Sequence, residues 1–241
     1  MNHICGVHAV YEALASGKQP IERIHIARQT HSGKLREIVE LAKQRDIPVR
    51  REDPSLLDRM VQGAVHQSVV AVLGEARYAS FEDLFKKDKP LIVVLDGVED
   101  PHNLGAVIRT AEACGAAGVV VPERHSAPLS AAVAKASAGA ASYVPVVRVI
   151  NLVNAIEEMK ARGIWIVGVD AAAKQLWTGF DFSSSVALVL GGEHRGLRRL
   201  VREHCDALVR IPMLGKIESL NISVAAGIAL YEIIRQRQAV S

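Results

Sequence analysis

The sequence predicts an α/β fold built on a mostly parallel sheet, with helices on both faces. Two observations carry this. Continuous apolar runs of strand length occur at 91–95, 118–121, 164–169 and 186–190. Helical patterns lie between them at 104–114, 129–136 and 152–162. A strand that is apolar at every position is buried on both faces, which suits a parallel sheet sandwiched by helices. A smaller α/β unit is expected before this one, over residues 1–75. There 7–14 reads as helix, 23–27 as a short strand and 34–43 as an amphipathic helix. Residues 48–51 and 68–73 read as further strands. The stretch 76–90 is more polar and ends at Pro90, so it reads as a linker to a second unit at 91–241. A short apolar strand and a long helix close the chain.

That last helix is unusual. Residues 224–230 are apolar on every side, and Gly227 sits in the middle. A helix without a polar face is expected to be buried all round. A mid-helix Gly costs about 1 kcal/mol against Ala and is usually kept so that another backbone can come close. The helix is therefore expected in the core or at a subunit interface, with Ser219 and Asn221 at its mouth.

The bulk composition excludes several classes. The 241 residues suit one large or two small domains, and 49% apolar with 23% charged is ordinary for a globular chain. No apolar run reaches the roughly 18 residues of a membrane span. The opening residues lack a basic segment followed by an apolar core, so no signal peptide is expected. Three widely spaced cysteines fit neither a disulfide framework nor a CxxC metal pattern, which points to a reducing cytoplasm. The nine histidines show no HxxxH or HExxH spacing, so no metal is expected. A net charge of +3 permits a nucleic-acid partner without demanding one, and 4% aromatics argues against an extensive base-stacking platform.

Three segments hold polar residues where chemistry is done. The first, residues 95–111 (LDGVEDPHNLGAVIRTA), runs from a strand into a helix. Asn103 suits an N-cap, and Arg109 has Glu112 three residues on as a surface ion-pair partner. The second, residues 188–197 (LVLGGEHRGL), is a Gly-rich turn after a strand. It fits neither GxGxxG nor a P-loop. Beyond it Arg195, Arg198, Arg199 and Arg202 have helical spacing on one face, either a solvated basic face or a track for RNA phosphates. The third, residues 211–232 (IPMLGKIESLNISVAAGIALYE), places Ser219 where an N-cap is expected.

In this order the three segments resemble the motifs of the SpoU family of RNA 2′-O-ribose methyltransferases, in the SPOUT superfamily. Residues 6–14 (GVHAVYEAL) and 63–71 (GAVHQSVVA) resemble the substrate-binding domain of the family's large-subunit rRNA guanosine methyltransferases. The resemblance covers nearly the whole chain. It implies an L30e-like domain at 1–75 followed by a SPOUT α/β knot, with a trefoil formed from about residue 186 onward. It implies S-adenosylmethionine (SAM) as cofactor, a guanosine ribose of 23S rRNA as substrate, and a homodimer without metal or membrane. Among site residues it implies Asn103, Arg109, Glu193, Ser219 and Asn221 as the catalytic set. Gly192, Ile211 and Leu220 would bind the cofactor. The family account gives the hydroxyl proton to Arg109, but a guanidinium hardly deprotonates, so a grip on substrate phosphate stands beside that role. The chain departs from the family pattern at His194 and Arg195, where relatives carry Gly after the Glu. Those side chains either narrow the mouth of the site or add a phosphate contact. Two alternatives stay open: the same chemistry on tRNA or another rRNA site, and a non-catalytic RNA-binding protein of the same fold.

Overall fold

The computed structural model describes residues 3–16, 21–28, 32–61, 65–74, 78–192, 196–217 and 219–239. The chain divides into two compact units, Met1–Arg77 and Tyr78–Ser241.

The first unit contains β1 (His3–Cys5), α1 (Val7–Ser16), β2 (Ile21–Ala27), α2 (Gly33–Gln44), β3 (Val49–Glu52), α3 (Pro54–Val61) and β4 (Val69–Leu73). Its four strands lie in the order β1-β4-β2-β3. β4 is antiparallel to both neighbours, and β2 and β3 are parallel. Strand alternation sorts the two faces. Ile24, Ile26, Val69 and Ala71 join Val10, Leu14, Leu35 and Ile38 in one core. Ala27 and Val70 pack with Leu57 of α3 in another. Ser32 caps α2 by accepting from the Leu35 N–H at 3.3 Å. β1 and α3 were not anticipated. β1 has only three residues, and α3 presents a single buried residue, Leu57, so neither leaves a long periodic pattern.

The second unit opens with the segment expected to be a linker, and the structure corrects that reading for 78–90. Ser80 and Asp83 form a reciprocal capping box at the start of a short 3₁₀ helix, Phe81–Phe85. Leu84 is fully buried in the main core. Burial of one such side chain stabilises by about 2 kcal/mol. Arg162 stacks on the Phe85 ring at 4.1 Å and pairs with Glu82 at 2.6 Å. The polar residues that suggested a linker face outward around these apolar anchors.

Seven strands then build one sheet: β5 (Leu91–Asp96), β6 (Gly118–Pro122), β7 (Val146–Val149), β8 (Trp165–Val169), β9 (Gln175–Leu176), β10 (Val186–Gly191) and β11 (Ala207–Arg210). Their order is β7-β6-β5-β10-β8-β11-β9, and each neighbouring pair is parallel. Five helices belong to this unit: α4 (Pro101–Ala113), α5 (Ala131–Ala136), α6 (Leu152–Ala161), α7 (Arg199–Glu203) and α8 (Ile222–Ala239). No helix among the described residues is long and apolar enough to cross a membrane.

Two packing details position the site. α4 lies close against α5 because residue 105 is Gly; a Cβ there would stand 2.5 Å from the Ala136 Cβ. α8 packs along α4, and its far end is tied to the segments preceding β5 and β10. Arg237 donates to the carbonyls of Lys89 (3.0 Å), Phe182 (3.1 Å) and Ser184 (2.6 Å). Fixing that end holds Asn221, at the other end, beside α4.

α8 is not buried on all sides within the chain, so of the two places expected for it, core or subunit interface, the core alone does not account for it. Ala226, Ala229, Leu230 and Ile233 are buried, whereas Val224, Ile228 and Tyr231 are 47%, 36% and 59% exposed. A Cβ on Gly227 would meet nothing within 4 Å. The chain itself thus covers only one face of this apolar helix.

Candidate active site

β5 and β10 are central neighbours in register, with Gly191 opposite Asp96. The first two motifs therefore leave the sheet side by side at its C-terminal edge, where ligands of open parallel sheets bind. The backbone approach is close. The Gly192 N–H donates to the Asp96 carbonyl at 3.2 Å, and a Cβ on Gly192 would lie 2.5 Å from the Gly97 carbonyl oxygen. Gly97 itself has φ +97°, which a side chain would strain. These glycines are needed for the shape of the turn.

Above this edge is a cleft of about 510 Å³. Gly192, Ile211 and Leu220, the three residues the resemblance implies for cofactor binding, all line it, as does Ser219. Leu190, Leu197 and Met213 add apolar wall, and Asp170 and Arg202 supply its charge. A cleft of this size that joins apolar wall to a few fixed polar groups has the character of a small-molecule site.

Asn103 and Asn221 meet beside the start of α8, where the Asn221 Nδ2 donates to the Asn103 Oδ1 at 3.0 Å. Both capping expectations are corrected. α4 begins earlier than expected: Asp100 is its N-cap, accepting from the His102 N–H at 2.8 Å, with Pro101 next. Asn103 therefore stands inside the helix, buried, and its amide turns toward α8. At α8 the cap is Asn221 rather than Ser219. Its Oδ1 accepts from the Ser223 N–H at 2.9 Å, and its carbonyl accepts from the N–H groups of Val224 and Ala225. Ser219 is left exposed at the cleft.

Arg109 lies on α4, exposed, and forms no ion pair with Glu112 or with any other described residue. The surface-pair alternative for Arg109 is therefore not realised. Glu193, His194 and Arg195 lie outside the described residues.

The basic face expected from Arg195, Arg198, Arg199 and Arg202 is also corrected. α7 is only five residues long, and Arg198 precedes it in extended conformation. Each described arginine has a carboxylate partner. Arg198 donates from its N–H (2.7 Å) and Nε (2.5 Å) to Asp96, Arg202 from Nε to Asp170 (3.1 Å), and Arg199 to Glu203 (2.9 Å). Sequence reasoning missed Asp96 and Asp170. The available signal was an Asp directly after each of two apolar strands.

A parallel sheet with a glycine-lined cleft at its C-terminal edge, an Asn pair beside it and an exposed Arg without a partner among the described residues on the adjoining helix is an enzyme architecture. The comparisons with known proteins place it. The model of the SpoU rRNA methylase family matches residues 90–231, and that for RNA 2′-O ribose methyltransferase substrate binding matches residues 3–79. The chain belongs to the SpoU rRNA methylase family. It is 44% identical to the putative TrmH family tRNA/rRNA methyltransferase YacO of Bacillus subtilis, over 99% of this chain and 97% of that one. It is 42% identical to the 23S rRNA (guanosine-2′-O-)-methyltransferase RlmB of Pseudomonas aeruginosa, over 97% and 96%. The crystal structure of the SpoU methyltransferase AviRb from Streptomyces viridochromogenes with AdoMet is similar at a TM-score of 0.75 and 29% identity, covering 98% of this chain and 90% of that one.

Proposed function

We propose that this chain transfers a methyl group from SAM to the ribose 2′-hydroxyl of a guanosine in 23S rRNA. The observation that carries the reading is the meeting of the second and third motifs on the wall of one cleft, through Gly192, Ile211, Ser219 and Leu220, with the first motif tied to the third by the Asn103–Asn221 bond at the start of α8. Identity of 41–42% to the RlmB enzymes over nearly the whole chain supports the substrate.

The cleft fits the cofactor. Its volume suits a nucleoside with an amino-acid tail, and the 2.5 Å limit at Gly192 keeps backbone at that wall, with no room for a side chain. When bound, SAM supplies an activated methyl on a sulfonium, so the protein's task is alignment and management of the hydroxyl proton. Ile211 and Leu220 would hold the adenosine, and Ser219 would offer its hydroxyl at the mouth. The Asn103–Asn221 bond locks α4 to α8 and thereby fixes Arg109 relative to the cleft. Arg109, without a partner among the described residues, takes the RNA side: its planar fork grips a phosphate and steers the 2′-oxygen. Glu193 receives the proton or orients Arg109. In that transfer an O–C bond would form as the S–C bond breaks, S-adenosylhomocysteine would be the leaving group, and the hydroxyl proton would pass to Glu193 or to water. RNA is required because only RNA carries a 2′-hydroxyl.

The unit at Met1–Arg77 is assigned to recognition of folded rRNA, in line with its substrate-binding family match. The return of α8 onto α4 after β11 supports the trefoil implied by the family. The exposed Val224, Ile228 and Tyr231 share one side of α8, and we assign this stripe to a homodimer interface; light scattering that finds a stable monomer at micromolar concentration would refute it. The cytoplasm is the assigned compartment.

Incubation of the protein with labelled SAM and with purified 23S rRNA or tRNA tests the function. Label in a ribose-methylated guanosine of 23S rRNA is expected. Label only in tRNA would move the substrate toward the tRNA/rRNA reading of YacO. Cofactor binding without label in any RNA would favour a non-catalytic binding protein.

A further inference from the structure

β10 sits between β5 and β8, and its continuation is the Gly191–Gly192 turn on the cleft. The two flanking strands each run into an aspartate at the same edge: Asp96 ends β5, and Asp170 directly follows β8. The segment that returns from the turn carries Arg198 and Arg202, one helical turn apart. Arg198 reaches back to Asp96 on one side of β10, and Arg202 reaches Asp170 on the other. Asp96 has a fully buried side chain and accepts both the backbone N–H and the Nε of Arg198. Asp170 also accepts the Ala172 N–H at 2.8 Å. Below the ion pairs, Leu197 and Val201 are buried in the core. Leu197 can sit there because residue 168 is Gly; a Cβ would lie 2.8 Å from its Cδ1. The segment 197–202 is thus pinned at three points, directly after Gly196, which bridges to Gly192 on the cleft.

We propose that Asp96 and Asp170 are positioning residues that set the shape of the cofactor cleft by clamping Arg198 and Arg202 across β10. The proposal rests on the reading of this cleft as the SAM site. Asp170 and Arg202 themselves line the cleft, whereas Asp96 and Arg198 are not among its lining residues, so the latter pair isolates positioning from direct contact. A buried carboxylate that loses its cationic partner is left uncompensated, so removing Arg198 should displace the turn rather than merely delete a surface contact. Small displacements of a binding loop are costly, which makes a loss of affinity of about tenfold the expected scale.

The test uses the full chain and titrates SAM by calorimetry. Arg198→Gln and Asp96→Asn should each weaken SAM binding about tenfold while turnover at saturating SAM stays within a few-fold of wild type. Arg198→Lys, which keeps a cation for Asp96, should restore most of the affinity. Combining Arg198→Gln with Asp96→Asn should cost no more than either alone, because both break one clamp. If Asp96→Asn fails to fold, the half-exposed Arg198 and its Lys rescue carry the measurement. Wild-type affinity in folded Arg198→Gln would overturn the clamp while leaving the cofactor site intact. A wild-type chain that binds no SAM would overturn the cleft assignment and the clamp with it.

Discussion

α4 and α7 both follow central strands that end at the cleft, and both carry arginines, yet they use them in opposite ways. On α4, Arg109 is exposed and has no partner among the described residues. Around α7, Arg198, Arg199 and Arg202 each meet a carboxylate. A guanidinium paired with a carboxylate is oriented by it, whereas one with no partner among the described residues keeps its whole planar fork for an incoming anion. Sequence spacing alone left the four arginines after the second motif as either a solvated basic face or a track for RNA phosphates. The structure gives Arg198, Arg199 and Arg202 carboxylate partners and leaves Arg109 with none among the described residues.

The largest expected effect tests the free member of that comparison. Arg109→Ala should lower methyl transfer by at least about 100-fold with SAM affinity unchanged, as read by single-turnover assay and calorimetry. Arg109→Lys should also fail, because a point charge cannot reproduce a planar fork of donors. Near-normal turnover in the lysine variant would reduce Arg109 to a source of charge.

The next effects contrast closed and open packing. Gly105→Ala forces a Cβ to 2.5 Å from Ala136 and should destabilise the chain by about 1–3 kcal/mol in urea unfolding. Gly192→Ala meets the Gly97 carbonyl at the same 2.5 Å and should weaken SAM binding roughly tenfold, the lower end of an overpacking cost of about 1–3 kcal/mol. Gly227→Ala meets nothing within 4 Å, so it should leave the isolated fold unchanged or stabilise it by up to about 1 kcal/mol. If Gly227→Ala instead shifts a dimer toward monomer in light scattering, the close approach missing within the chain is made by a second copy.

The smallest effect is a pH dependence. Hydrogen bonds from Arg235 hold the Glu232 carboxyl down to about 2, with further help from Gln236. A lowered carboxyl contributes stability that is fully present above the ordinary value of 4.5 and is lost as pH falls toward 2. Glu232→Gln should flatten that part of the acid unfolding curve and change nothing at pH 7 beyond the loss of the Arg235 contact.

The parallel sheet was legible because its buried strands are apolar at every position and short turns separate them from helices. Gly192, Ile211, Leu220 and Ser219 were singled out through the family resemblance, and the structure brings all four to the wall of one cleft. What the sequence hid depends on distance along the chain. The Asp96–Arg198 pair joins residues 102 apart, and the Asn103–Asn221 pair joins residues 118 apart. No local periodicity marks such partners. The two misplaced caps have a local cause: Asp100-Pro101 and Asn221 are stronger start signals than Asn103 and Ser219, and each moves a helix boundary by two or three residues. The segment 78–90 misled because its few apolar anchors, Leu84 and the Phe81–Phe85 pair, lie among charges.

The most direct test of the central claim is an alkaline ladder of 23S rRNA treated with SAM and either wild-type protein or Arg109→Ala. Methylation of a 2′-oxygen prevents its attack on the adjacent phosphate, so wild-type treatment should leave one guanosine resistant to cleavage, and Arg109→Ala treatment should leave none. Methyl label incorporated by the wild type on a base atom, with an unbroken ladder at every guanosine, would contradict ribose methylation; an equally strong gap from Arg109→Ala would contradict the role assigned to the free arginine of α4.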